Sequence, residues 1–258
     1  MGEYKEKASC ALEGLWGFVC SICFVINTVG KLCFGLALSF LLYHLLGYEK
    51  VSYSIEIDNK FEYYIKSISD AVFEEKSKYS YIIVLIVLII TVVLFYTILT
   101  IVDIGLNNIY LKIARYEEVK ISDLLIDKKN LIKAILLEIV IDIRIVLWAL
   151  LLIIPGIVKG YAYSKAIYVF LDNPNKDILE CIRESEKIMF DSKWDNFILD
   201  LHFWLFWIIE SLVSGFSFLL EAGVNSYYQP YNGVADVFFY FDLIGEKPKD
   251  LKLGNKIE

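Results

Sequence analysis

The residues with the most chemical potential are ionisable groups set inside apolar stretches: Lys31, Glu138, Asp142, Arg144 and Glu210, with Asp200 near the end of one such stretch. A charge at the centre of a bilayer costs about 2.5–3.5 kcal/mol on the insertion scale, so it faces a bundle interior or a water-filled cavity. Glu138 and Asp142 are four residues apart, share a helix face and repel when both are ionised. A cation opposite them, or protonation of one, relieves the repulsion. Glu210 sits among Trp207, Ile208, Ile209 and Leu212 and is the deepest acid by sequence. One reading is an ion-coupled or polar-substrate pathway lined by Glu138, Asp142 and Glu210. The other is structural: interhelical ion pairs, with Lys31 and Arg144 reaching for headgroups along their long stems. Because membrane bundles use polar groups as packing contacts, the structural reading is preferred.

Other candidate chemistry is thinner. Cys20-x-x-Cys23, with Cys33 further on, lacks the His or Cys cluster that would complete a tetrahedral zinc site. With Cys10 and Cys181 these thiols read as small apolar residues, not as a disulfide framework. The only histidines, His44 and His202, stand in no metal-binding spacing. Nucleophile elbows, phosphate loops and kinase signatures are missing, so neither a catalytic residue nor a cofactor is expected. Basic stripes with interleaved aromatics are missing too, which argues against nucleic acid as a partner.

The elements that must position these residues are apolar helices. Hydrophobic residues make up 57% of the 258-residue chain, and mean hydropathy is +0.55, whereas soluble domains run at about 45–50% apolar. Tyr81 to Ile101 carries no charge and is long enough to cross a hydrocarbon core of roughly 30 Å. Aromatic side chains such as Trp16, Tyr43, Tyr79, Tyr81 and Trp194 fall near segment ends, where amphipathic rings suit the headgroup zone.

The expected architecture is an all-α polytopic membrane bundle forming a single domain, with about six transmembrane helices near 16–46, 80–103, 131–154, 157–171, 197–213 and 216–241. Helix two is expected to continue past Asp103 through Arg115, and Ser122 to start a short helix. Between segments three and four, Pro155-Gly156 should break the central hairpin, because proline removes an amide donor and glycine permits positive φ. A polar connector covers 47–78. An amphipathic cytoplasmic helix covers 176–190, with Ile178, Ile182, Ser185 and Met189 on one face. Ser211 to Gly215 is read either as the turn between the last two segments or as part of one longer helix.

Lysine and arginine set the orientation. With both termini cytoplasmic, sixteen fall in cytoplasmic segments, five in the 47–78 connector, and four (Lys31, Arg144, Lys159, Lys165) within apolar segments.

From LWALLLIIPGIVKG through Tyr161, Tyr163, Asn173-Pro174, Ile182, Ser185, Met189 and Lys193-Trp194, the chain resembles the signature region of the bacterial membrane proteins grouped as domain of unknown function 975. ALEGLWG near the start and QPYNGVADVFFYFDL near the end are similar to that family's terminal motifs. The resemblance implies a multi-span bundle in the bacterial cytoplasmic membrane and transfers no catalytic residue, ligand or substrate. The functional expectation is a non-enzymatic multi-pass protein that engages the lipid bilayer, membrane-active peptides or another membrane protein. The alternative is a small transporter or channel using intramembrane acids.

Overall fold

In the computed structural model, residues 2–46, 78–214 and 218–246 are described, all of them helical or in short connections. The expected connector at 47–78 therefore lies outside the described residues except for Lys78, as do residues 215–217 and the side chains of Lys31, Cys33, His44, His202 and Glu210. Two units separate: Met1–Val29 with Leu99–Glu258, and Gly30–Ile98.

Helix α1 (Gly2–Ala11) buries Ala8 and Ala11 and packs along the last helix of the chain. Gly14, at φ +85°, turns the backbone into α2 (Trp16–Leu46). The bend between α1 and the first part of α2 is 97°. Trp16 stacks on Tyr227 at 5.2 Å, which ties the start of α2 to the bundle.

Helix α3 (Lys78–Ala114) has two halves of different character. From Leu85 to Leu99 its aliphatic side chains are mostly exposed, whereas Ile104, Leu106, Ile109, Tyr110, Leu111 and Ile113 are buried. Thr91 and Thr97, on the exposed half, return their hydroxyls to the carbonyls of Val87 and Val93, satisfying the donor within the helix where the surroundings offer no partner. By length and apolarity, Leu85–Ala114 qualifies as a membrane span, and Gly2–Ala11 with Trp16–Gly30 qualifies as a second if the bent pair counts as one. Among the described residues, one or two of the six spans expected from sequence thus stand out on that criterion; the all-α class is plain.

Tyr116, at φ 55°, ends α3 in the left-handed region, and the Glu117 N–H closes on the Lys112 carbonyl at 2.9 Å, a hydrogen-bond pattern typical of helix C-termini. The turn expected at Ser122 is a 3-10 turn, Ile121–Leu124, with Lys120 as its N-cap. It docks on Gly105, where a β-carbon would collide with the Leu124 carbonyl. Asn108 donates to the Asp123 carbonyl at 2.8 Å, and Lys112 pairs with the Asp123 carboxylate at 2.7 Å.

The central hairpin consists of α4 (Lys128–Leu151), α5 (Ile153–Tyr163) and α6 (Ala166–Asp172). The break expected at Pro155-Gly156 falls earlier, at Leu152, which is extended (φ −159°, ψ 139°). Pro155 occupies the first turn of α5, where its missing N–H would have no intrahelical partner anyway. Gly156 serves close approach instead: a β-carbon there would lie 2.8 Å from Ala149 Cα, so the two arms can touch. The segment expected as one helix over 157–171 is interrupted at Ser164-Lys165.

Helix α7 (Ile178–Ile188) starts at Asp177, whose side chain accepts from the Leu179 N–H. Its buried face (Cys181, Ile182, Ser185) packs on α5 and α6, leaving Arg183 and Lys187 exposed. Helices α8 (Lys193–Ser214) and α9 (Phe218–Ile244) are separate and pack on each other. Gly245, at φ 71°, caps α9, and the following Glu246 makes a two-pronged contact with Arg115 at 3.0 Å on each prong.

Candidate functional site

The break at Ser164-Lys165 frees backbone groups that α5 and α6 would otherwise pair, and a buried break needs substitutes. Ser185 from α7 supplies them. Its hydroxyl donates to the Ala162 carbonyl at 2.8 Å and accepts from the Lys165 N–H at 3.2 Å. Ser164 folds its own hydroxyl back to the Tyr161 carbonyl at 3.0 Å. The break is thereby held open, and the Lys165 side chain leaves the helix toward α8 and α9.

Lys165 is fully buried. Its ammonium pairs with Asp236 of α9 and donates to Asn196 Oδ1 of α8 at 3.3 Å. The rings of Phe239 and Tyr168 stand 5.3 and 5.8 Å from it. The other Asp236 oxygen lies 3.1 Å from the Tyr168 hydroxyl, which also approaches Asn107 Oδ1 of α3 at 3.3 Å. One hydroxyl carries one proton, so the carboxylate, the stronger acceptor, holds it. The network joins α3, α6, α8 and α9 through a charge pair that neither partner could sustain alone at this depth.

Beside the pair lies a cavity of about 640 Å³. Its wall is mixed. The α4–α5 hairpin contributes the apolar residues Ile145, Ala149, Ile153, Gly156 and Ile157, while Asn107, Ser164, Asn196, Asp200, Asn232 and Asp236 contribute polar groups and Tyr110, Tyr161 and Tyr168 contribute rings. The Tyr161 hydroxyl stands close enough to Asp200 to interact with its carboxylate. Gly233 is flush with the Tyr110 ring, which a β-carbon would strike. Gln229 Oε1 accepts from Asn27 at 3.1 Å. Asn232 Oδ1 is buried against this wall without a hydrogen-bond partner.

Outside the cavity, Arg115 gathers Asp172 (2.9 Å) and Glu246 (3.0 Å), and Tyr240 donates to Asp172 at 2.9 Å. Glu246 is the main reason the Arg115 pKa is raised, and Asp172 adds to it. This cluster fastens the end of α9 to the ends of α3 and α6.

Of the charges singled out from sequence, Asp200 lines the cavity, and the others that are described are dispersed. Glu138 is half-buried on α4 and feels the charges of Asp103 and Asp142; Asp142 is exposed and Arg144 half-buried. None of these three lines the cavity, and of the Pro155-Gly156 pair only Gly156 does. Among the described residues no group of His, Cys, Asp and Glu could hold a metal ion, and Cys10, Cys20, Cys23 and Cys181 are free thiols.

The residues that sequence reasoning missed are Lys165, Asp236, Asn196, Asn107 and Tyr168. A signal was present: one lysine in YAYSKAIYVF and one aspartate in VADVFFYF, each isolated among apolar neighbours. Isolated buried charges of opposite sign demand one another.

No curated protein and no solved structure matches this chain. The family model described as "Protein of unknown function (DUF975)" matches residues 2–247, nearly the whole length, and the chain belongs to that family.

Proposed function

We propose that this chain is a non-enzymatic multi-pass protein of the bacterial cytoplasmic membrane that engages lipid or another membrane amphiphile in the mixed-walled cavity. Peptides or partner proteins would meet the same surface. The observation that carries this reading is the cavity's combination of an apolar hairpin with a buried charge network. An amphiphile presents both chemistries, tail against Ile145 and Ile153 and headgroup against Asp200 and Asn232.

The hairpin supports a hydrocarbon setting. Leu150, Leu151, Leu152, Ile153 and Ile154 are 66–78% exposed, and burying an aliphatic side chain of this size is worth about 1.5–3 kcal/mol. Water would forfeit that at five consecutive positions. No charge lies between Arg144 and Lys159, so the tip reaches about 10 Å beyond those two residues, roughly a third of the hydrocarbon thickness. In this reading α2, α3, α8 and α9 cross the bilayer, and the α4–α5 hairpin enters and leaves on the cytoplasmic side. The sixteen-to-five charge bias and both cytoplasmic termini are unchanged by that arrangement, which replaces the six-span count.

The test is native mass spectrometry of protein extracted in mild detergent. Gly160 lines the cavity, and a β-carbon there meets only Ile145 Cδ1 at 3.9 Å, so Gly160→Phe fills the space without disturbing backbone. The wild type should retain an amphiphile that this variant loses. Equal retention, or none in either, overturns the proposal.

A second reading, a small transporter, is favoured by the helix interruption beside the cavity, a feature of transport sites. It predicts substrate flux across proteoliposomes that Gly160→Phe blocks.

A further inference from the structure

The geometry points to a ligand class: the polar part of the cavity takes an ammonium group. This inference rests on the preceding reading of the cavity as a ligand site, and it specifies the headgroup.

The argument is a balance of charges and donors. Two carboxylates, Asp200 and Asp236, face the cavity. The lysine of the network, Lys165, is committed to Asp236 and Asn196 and does not line the wall. Asp236 is therefore neutralised by contact, whereas Asp200, beside the Tyr161 hydroxyl, feels Lys165 only through space and is repelled by Asp236. A carboxylate inside a bundle with no cation in contact is costly. Asn232 Oδ1 adds a buried acceptor that nothing in the protein satisfies, and such an acceptor calls for a donor. The wall thus holds two carboxylates and amide side chains but no lysine or arginine, so what it lacks is positive charge, which an alkylammonium brings. Tyr110, Tyr161 and Tyr168 supply aromatic surface of the kind that attracts cations. A phosphate or carboxylate would meet Asp200 and Asp236 with no free cation in the wall to receive it.

The ammonium could belong to an aminolipid headgroup or to a free amine, and the experiment separates them. Purified protein in phosphatidylglycerol nanodiscs is titrated calorimetrically with butylammonium, with acetate as the anionic control. In parallel, nanodiscs of equal phosphatidylethanolamine and phosphatidylglycerol are used to read which lipid the released protein retains. Butylammonium should bind and acetate should not. Asp200→Asn, which keeps the side chain's shape, should weaken butylammonium about 10- to 100-fold, the worth of one charge-assisted hydrogen bond. Enrichment of phosphatidylethanolamine in the wild type, lost in Asp200→Asn, assigns the ammonium to lipid. Butylammonium binding that depends on Asp200 without lipid enrichment assigns it to a free amine. The inference is overturned if butylammonium fails to bind, or if Asp200→Asn remains folded by size-exclusion chromatography and binds as the wild type does. Retention of phosphatidylglycerol that Gly160→Phe abolishes, with no ammonium preference, would leave the amphiphile reading standing and remove this one.

Discussion

Replacing Lys165 by methionine keeps most of the stem's volume and removes its charge. In the variant, Asp236 loses its counter-ion and retains one contact, the Tyr168 hydroxyl at 3.1 Å. Breaking a buried ion pair from one side costs about 3–5 kcal/mol. The Asp236 side chain is 22% exposed against 0% for Lys165, so water offsets part of the loss and the low end, about 3 kcal/mol, applies. For a chain of this size that lowers Tm by about 6–12 °C. Removing both charges in Lys165→Met/Asp236→Leu eliminates the stranded carboxylate, and buried pairs exchanged for apolar residues are often neutral. Tyr168 then keeps Asn107 at 3.3 Å, and Asn196 keeps Ser164 at 3.5 Å. The double variant should therefore recover most of the loss, with a coupling of about 2–3 kcal/mol between the sites. Thermal unfolding in mild detergent, followed by circular dichroism, reads all four proteins. The reasoning fails if Lys165→Met melts with the wild type, or if the double variant falls by the sum of the two single losses.

Arg115→Ala should cost about 1–2 kcal/mol, a value discounted for the cluster's partial exposure. Hydrogen exchange should rise at the C-terminal end of α9, where Glu246 is released, and not in α4. The Asp123 carboxyl is held below its usual pKa by Lys112 first and the Lys120 N–H second. Its folded pKa is thus below the unfolded value of about 3.9. Its contribution is complete above that value and disappears as pH falls through the folded pKa. The Tm difference between the wild type and Asp123→Asn should therefore be constant above about pH 5 and close in more acidic buffer, and a gap that persists there would count against the pairing. Gly105→Ala should cost about 1–3 kcal/mol by overpacking, since its β-carbon meets the Leu124 carbonyl rather than a mobile side chain; a Tm unchanged from wild type would mean that the 3-10 turn is free to move away.

What the sequence made legible was what periodicity and solvent preference determine. The apolar run inside α3, its extension to Ala114 and the buried face of α7 follow from residue type and spacing. Two breaks were harder because their causes are tertiary. Pro155 announces a helix boundary but also fits a first turn, so the chain bends at Leu152, where nothing in the side chain signals it. The Ser164-Lys165 interruption has no proline or glycine at all. It depends on Ser185, distant in sequence, which completes the freed backbone groups. The acids chosen from sequence were conspicuous for lying in the middle of apolar runs, whereas Lys165 was counted within an apolar segment and assigned no role. Its partner is 71 positions away, and single-sequence patterning carries no term for that pairing.

The same interruption explains why a polar cavity can exist beside so apolar a hairpin. A continuous helix from Ile153 to Asp172 would keep every backbone group paired and would hold Lys165 in the helical spiral that follows Tyr161. Breaking the helix there swings the ammonium toward α8 and α9, and Asp236 must then turn one oxygen inward to meet it. That commitment leaves Asp200, one turn beyond Asn196 on α8, with no cation in contact and only the distant field of Lys165. The unbalanced carboxylate is thus a consequence of how the break is stabilised, and the protein tolerates it beside a cavity large enough for something else to bring the missing charge.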